Sequence, residues 1–162
     1  MNAIDPFLSD EMPPVPALVL GAGGLLPFIA LATGIVFFPD PNLSYFLGWL
    51  TQYAALIVSF VGALQWGLIM RVPAAGVGEQ WSAFGWSVCP ALIAWVALQM
   101  PQYEGLYLLA ALFMLCLIMD WRFARRHRLP RWFMRLRLAL TAGAVSSLVV
   151  AGWILAGHSV HH

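Results

Sequence analysis

The chain has 162 residues, 62% of them hydrophobic and 9% charged, with a net charge of +1 and a mean hydropathy of +0.82. A soluble domain usually carries charge on about a quarter of its residues, and a fold this small is mostly surface. The composition therefore excludes an ordinary soluble domain and makes lipid the expected solvent of a single domain.

The N-terminal stretch 1–14 carries Asp5, Asp10 and Glu11 and no base. A cleavable secretory signal needs a basic start, and a mitochondrial transit peptide is rich in arginine and poor in acid. Neither pattern is met, so a tail followed by a retained first span is expected. A helix needs about 20 apolar residues to cross the roughly 30 Å hydrocarbon core. Five segments are candidates, over 15–38, 43–70, 83–100, 105–121 and 136–156, the fourth of them short. The expected fold is all-α, a polytopic membrane bundle of about five transmembrane helices over 15–156, with a tail over 157–162. Backbone in lipid must satisfy its own polar groups, which makes each span helical.

The connections follow from their composition. Pro13, Pro14 and Pro16 open the first span, where a missing N–H does no harm. Pro39-Asp40-Pro41-Asn42 reads as a tight turn. The stretch 71–82 reads as a loop with Pro73 and Glu79, and 101–104 as a short turn. Residues 121–135 read as a longer basic and aromatic connection. Tyr45, Trp49, Trp81, Tyr103, Trp121 and Trp132 fall near span ends, as interfacial aromatic belts do.

All eight basic residues are arginines: Arg71, Arg122, Arg125, Arg126, Arg128, Arg131, Arg135 and Arg137. With five spans they fall on one face or at its edge, together with the N-terminus. The opposite loops hold Asp40 and Glu104. The positive-inside rule then predicts a cytoplasmic N-terminus and a periplasmic C-terminus in a bacterial inner membrane. An even number of spans would split the arginines between the two faces.

Helices in lipid associate through small residues. Ala55, Ser59, Ala63 and Gly67 form one stripe at four-residue spacing, and Ala139, Gly143, Ser147 and Ala151 form another. Ala83, Ser87 and Ala91 form a shorter one. These are expected helix-packing seams, within the bundle or against a partner protein. Gly21-Ala22-Gly23-Gly24 does not read as a nucleotide loop, which needs a preceding strand. It sits in an apolar span and leads to Pro27.

The most informative polar residues are Gln65 and Asp120. The predicted topology sets them at similar depth near the arginine face, and intramembrane polar groups face the bundle or a wet cavity. Ser87 and Thr141 fit the same layer. Two arrangements suit them. In one, they join Arg122 or Arg71 in a pocket walled by Trp66 and Trp86. In the other, Asp120 pairs with Arg122 or another arginine in the headgroup region while Gln65 makes an interhelical hydrogen bond.

The run from Trp121 to Phe133 alternates bases and aromatics. On a soluble protein this suggests nucleic acid. Between two spans its natural partner is anionic phospholipid headgroups, at Arg122, Arg125, Arg126, Arg128, Arg131 and Arg135. No nucleic-acid partner is expected. Cys89 and Cys116 have no CxxC or metal-ligand spacing. His158, His161 and His162 end the chain, where metal ligands are poorly held. No metal, no cofactor and no catalytic constellation is expected.

The stretch Tyr53 to Gly67 carries Tyr53, Ser59, Phe60, Gly62, Trp66 and Gly67. It resembles the signature of the transmembrane-protein-sixty-nine family, small multi-helix membrane proteins of mitochondria and bacteria built around a domain of unknown function. Pro16, Gly24-Leu25-Leu26-Pro27-Phe28, Trp86, Pro90 and Asp120 are also similar, so the likeness runs from Pro16 to Gly152. The resemblance implies a fold and brings no established activity. In size, span number and tryptophan content the chain is similar in outline to the tryptophan-rich sensory protein family, without that family's motifs.

The leading functional expectation is a non-enzymatic accessory or assembly subunit of a larger respiratory or photosynthetic membrane complex. The alternative is a small-molecule binding or carrier protein with a tryptophan-lined intramembrane pocket. An intramembrane enzyme ranks last.

Overall fold

The computed structural model describes residues 12–38, 42–72 and 76–159, with the side chains of residues 158 and 159 left aside. The N-terminal acidic residues, most of the 39–42 turn, Pro73, His161 and His162 lie outside this set. Among the described residues there are five helices and no strand: α1 (Val15–Phe37), α2 (Leu43–Met70), α3 (Val77–Ala97), α4 (Gln102–His127) and α5 (Arg131–Ser159). The chain is thus an all-α polytopic bundle.

Specific contacts fix the direction of each helix. Near the start of α1, Gly21 faces Leu136 and Leu140 of early α5. Late in α1, Gly34 faces Phe46 of early α2. Glu79 at the start of α3 bridges to Arg126 and His127 at the end of α4. Gly105 at the start of α4 abuts the Ala97 carbonyl at the end of α3. Gly152 late in α5 faces Tyr107 of early α4. The helices therefore alternate up and down, and the eight arginines gather at one end.

Four helices, α1, α2, α4 and α5, are long and apolar enough to cross a membrane. The third is more polar than expected, because its first turns include Glu79, Gln80 and Ser82. It crosses the bundle nonetheless: α2 ends at the arginine-rich end and α4 begins at the other. At 1.5 Å per residue its 21 residues reach roughly 31 Å.

The helix bounds correct several expected connections. The fourth helix does not stop at Trp121 but runs to His127, so the long basic loop does not exist. Arg125 lies 4.0 Å over the Trp121 ring, one turn away. Arg125, Arg126 and His127 in the last turn suit the negative end of the helix dipole. Arg128 caps α4 in the left-handed region at φ 51°, and its N–H donates to Ala124 O. Pro130 follows, where a proline commonly ends a helix, and α5 starts at once with Arg131, a full turn before the expected position 136. Similarly, α3 begins at Val77 rather than Ala83, since Gly76 in extended conformation opens it and Glu79 favours the first turn. Residues 102–104 belong to α4, with Pro101 as its N-cap.

The core lies where α1, α2, α4 and α5 meet. Phe28 is buried and packs edge-on against Tyr53 at 5.1 Å and Phe113 at 5.9 Å. Tyr53 Oη donates to Gly24 O at 2.9 Å, which ties α2 to α1 across the core. Gly62 of α2 faces Pro90 of α3 so closely that a Cβ there would lie 2.6 Å from the proline ring.

Candidate functional site

Three helices each bring one polar side chain to a single point inside the arginine-rich end. Asp120 of α4 is 2% exposed, Gln65 of α2 is 3% exposed and Arg137 of α5 is 7% exposed. Gln65 Nε2 donates to Asp120 Oδ1 at 3.2 Å. Arg137 Nε donates to Asp120 Oδ2 at 2.7 Å, and Nη2 lies against the same oxygen. Each carboxylate oxygen thus has its own partner. An isolated charge at this depth is costly, and pairing it with hydrogen-bonded opposite charge is how membrane proteins keep it.

The expected meeting of Gln65 with Asp120 is present. The arginine at the site is Arg137, not Arg122 or Arg71, both of which are exposed. The signal for Arg137 lay in the hairpin. Asp120 stands seven residues before the end of α4 and Arg137 six after the start of α5, so a tight turn sets them level. Placing a long loop there hid the match.

Two cavities meet this triad. One, of about 650 Å³, opens between α3 and α4 and is lined by Gln65, Glu79, Ser82, Trp86, Arg122 and His127, among others. We call it the vestibule. At its rim Glu79 Oε1 accepts from Arg126 Nε at 2.8 Å and lies 3.2 Å from His127 Nε2. The other, of about 430 Å³, lies between α1, α2 and α5 and is almost wholly apolar. Leu20, Gly24, Leu25, Leu64, Leu140 and Ala144 line it, with Trp132, Arg137 and Thr141.

The remaining expected pocket residues divide. Trp86 lines the vestibule, as expected. Trp66 does not: it is 45% exposed and packs edge-on against Phe84 at 5.1 Å, because its position on α2 turns away from Gln65. Ser87 is buried but spends its hydroxyl on Ala83 O at 2.8 Å. Thr141 is buried and lines the lateral cavity, not the vestibule that Gln65 lines.

The small-residue stripes are seams in part. Ala55 is buried and Ser59 half-buried, but Ala63 and Gly67 are exposed, since strict four-residue spacing drifts around a 3.6-residue helix. The close contact of α2 with α3 is made by Gly62 instead. On α5, Gly143 faces Leu25, and Ser147 and Ala151 are buried, while Ala139 is exposed. Arg122, Arg125, Arg126, Arg128, Arg131 and Arg135 are all exposed.

Fold and site together define a multi-pass helical membrane protein with a buried ionic triad between two cavities. The chain belongs to the family described as protein of unknown function (DUF3429), whose model matches residues 13–152. It is also 31% identical over 141 residues to Transmembrane protein 69 of Xenopus tropicalis. That alignment covers 84% of this chain and 53% of the relative, so the chain spans about half the relative's length. No solved structure matches it.

Proposed function

We propose that this is a non-enzymatic binding or carrier protein of a bacterial inner membrane, whose vestibule takes a small acidic molecule from the arginine-rich, cytoplasmic side. The observation that carries the reading is Gln65. It is buried, fixed by Asp120 and still lines a cavity with Trp86 and Arg122. Glu79 is already engaged by Arg126 and His127, so the vestibule holds more base than acid. The exposed arginines around it suit anionic phospholipid headgroups, each worth about 1 kcal/mol near an anionic surface.

The test is a fluorescence titration of the purified protein in nanodiscs with small mono- and dicarboxylates. A saturable tryptophan signal is expected, lost in Trp86→Leu and weakened in Arg122→Gln and Gln65→Leu. A signal that none of these changes alters would end the reading. Reporter tags on the two termini should lie in opposite compartments, the C-terminal one outside.

A second reading, an accessory or assembly subunit of a larger membrane complex, is favoured by one specific surface. Leu56, Phe60, Ala63 and Gly67 form an exposed face on α2, with the small pair at its arginine-rich end. Native purification in mild detergent followed by mass spectrometry tests it. Stoichiometric co-purifying subunits, lost in Gly67→Leu, are its expected result, and a solitary chain is the opposite one.

A further inference from the structure

The lateral cavity carries polar atoms that its own walls leave without partners. Thr51, Ser59, Ser87 and Ser147 each donate their hydroxyl to the carbonyl four residues back, at 2.7 to 3.0 Å. This is the usual way to satisfy a hydroxyl in a membrane helix. Thr141 does not. Its Oγ1 is buried with no hydrogen-bond partner, although the residue is 2% exposed and lines the cavity. Trp132 Nε1, in the same lining, is also buried and unpartnered. Arg137 Nη2 touches Asp120 as an ion contact but makes no well-directed hydrogen bond. Unmade hydrogen bonds of this kind cost about 1–3 kcal/mol each, and in hydrocarbon no water is at hand to relieve them.

The other walls of the cavity are shaped to stay open. Gly24 lines it, and a Cβ placed there would meet nothing within 4 Å. Glycine within a helix costs roughly 0.5–1 kcal/mol relative to alanine. No close helix contact at this position requires it. Leu20, Leu25, Leu136 and Leu140 supply an apolar path alongside.

We infer that the lateral cavity between α1, α2 and α5 binds a neutral amphiphile whose head offers separate oxygen acceptors, one to Thr141 and another to Trp132 nearer the start of α5, and whose chain lies along the leucines. A tryptophan N–H can only donate, so the head must accept. A neutral head fits better than an anion. Arg137 is already neutralised by Asp120, and a further buried negative charge would have no counterion of its own. The acyl esters of a bilayer lipid and the two ring carbonyls of an isoprenoid-type quinone both present such spaced acceptors on an apolar chain. This site is separate from the vestibule, and the variants that test it touch no vestibule residue.

The experiment uses the full chain in nanodiscs of dialkyl-ether phosphatidylcholine, which has no ester carbonyl. Two probes are titrated: a decyl-substituted benzoquinone, and a diacyl phosphatidylcholine with brominated chains. The readout is the tryptophan quenching that Trp132→Phe removes. At least one probe should quench saturably. Thr141→Val, which keeps shape and loses the hydroxyl, should weaken that probe about fivefold, the equivalent of one hydrogen bond of about 1 kcal/mol. Thr141→Ser should restore it. Gly24→Phe, filling the open space, should weaken it at least about tenfold by excluding the ligand. Saturation by the quinone assigns the head to a quinone ring, and saturation by the brominated lipid assigns it to an acyl ester. Absence of saturable quenching by both probes, or unchanged affinity in both Thr141→Val and Gly24→Phe, overturns the proposal.

Discussion

The two ends of this bundle are built on different principles. At the end away from the arginines the helices touch through small residues and rings. Gly105 sits on the Ala97 carbonyl, Gly34 under Phe46 and Gly152 under Tyr107. At the arginine-rich end the helices stand apart around two cavities, and Gln65, Asp120 and Arg137 hold them together. Lipid tails are as apolar as leucine, so association in a membrane relies on close packing or on hydrogen bonds between helices. One end uses the first and the other end the second. Packing has to be continuous, whereas three side chains meeting at one point leave room beside them. The open end is the one that can receive a ligand.

That contrast is broken most severely at Asp120. Asp120→Ala leaves the Arg137 guanidinium buried without its counterion, and removing one member of a buried pair costs about 3–5 kcal/mol. Thermal unfolding in detergent should show the largest drop of any single change here. Asp120→Ala with Arg137→Leu, which removes both charges, should recover much of the loss. If the double variant is as unstable as the single one, the pair is not what joins α4 to α5.

The packed end gives the next largest effects. A Cβ at Gly105 would lie 2.6 Å from Ala97 O, a backbone atom that cannot step aside. Gly105→Ala should cost about 1–3 kcal/mol, as overpacking does. Further along the bundle, Gly62→Ala, against the Pro90 ring, should cost a similar amount. Gly23→Ala is the control: its Cβ would meet nothing within 4 Å, so helix propensity alone predicts a gain of up to about 1 kcal/mol. Melting temperatures that fail to separate Gly105 from Gly23 would show that the helix ends are looser than their contacts imply.

Much of this is legible in the sequence, for a physical reason. The length and hydropathy of α1 and α2 report directly on the thickness of the hydrocarbon, so their bounds were predicted to within a residue. The ends of α3, α4 and α5 were not, because charged residues such as Glu79, Arg125 and Arg126 break a hydropathy pattern without breaking a helix. That error concealed Arg137, whose level relative to Asp120 depends on where the hairpin turns. The four-residue stripes mislocated Gly62 for a related reason: a stripe in sequence shows which residues share a face, not which face a neighbour takes. The residues by which the chain resembles its family now have contacts that explain them. Tyr53 holds the Gly24 carbonyl near Pro27, Gly62 admits Pro90 and Asp120 receives Gln65.

A smaller test concerns how much Gln65 adds once Arg137 has neutralised Asp120. The Gln65–Asp120 hydrogen bond is long, at 3.2 Å, and joins a neutral group to a carboxylate that already has a charged partner. Interhelical hydrogen bonds in membranes average about 0.6 kcal/mol and reach about 1.7 kcal/mol. Gln65→Leu should therefore lower the unfolding free energy by less than about 1.7 kcal/mol, well short of the loss at Asp120. Combined with Asp120→Ala it should add almost nothing, because its partner has gone. An effect of Gln65→Leu that persists undiminished in the Asp120→Ala background would mean that Gln65 stabilises the bundle by packing rather than through the carboxylate.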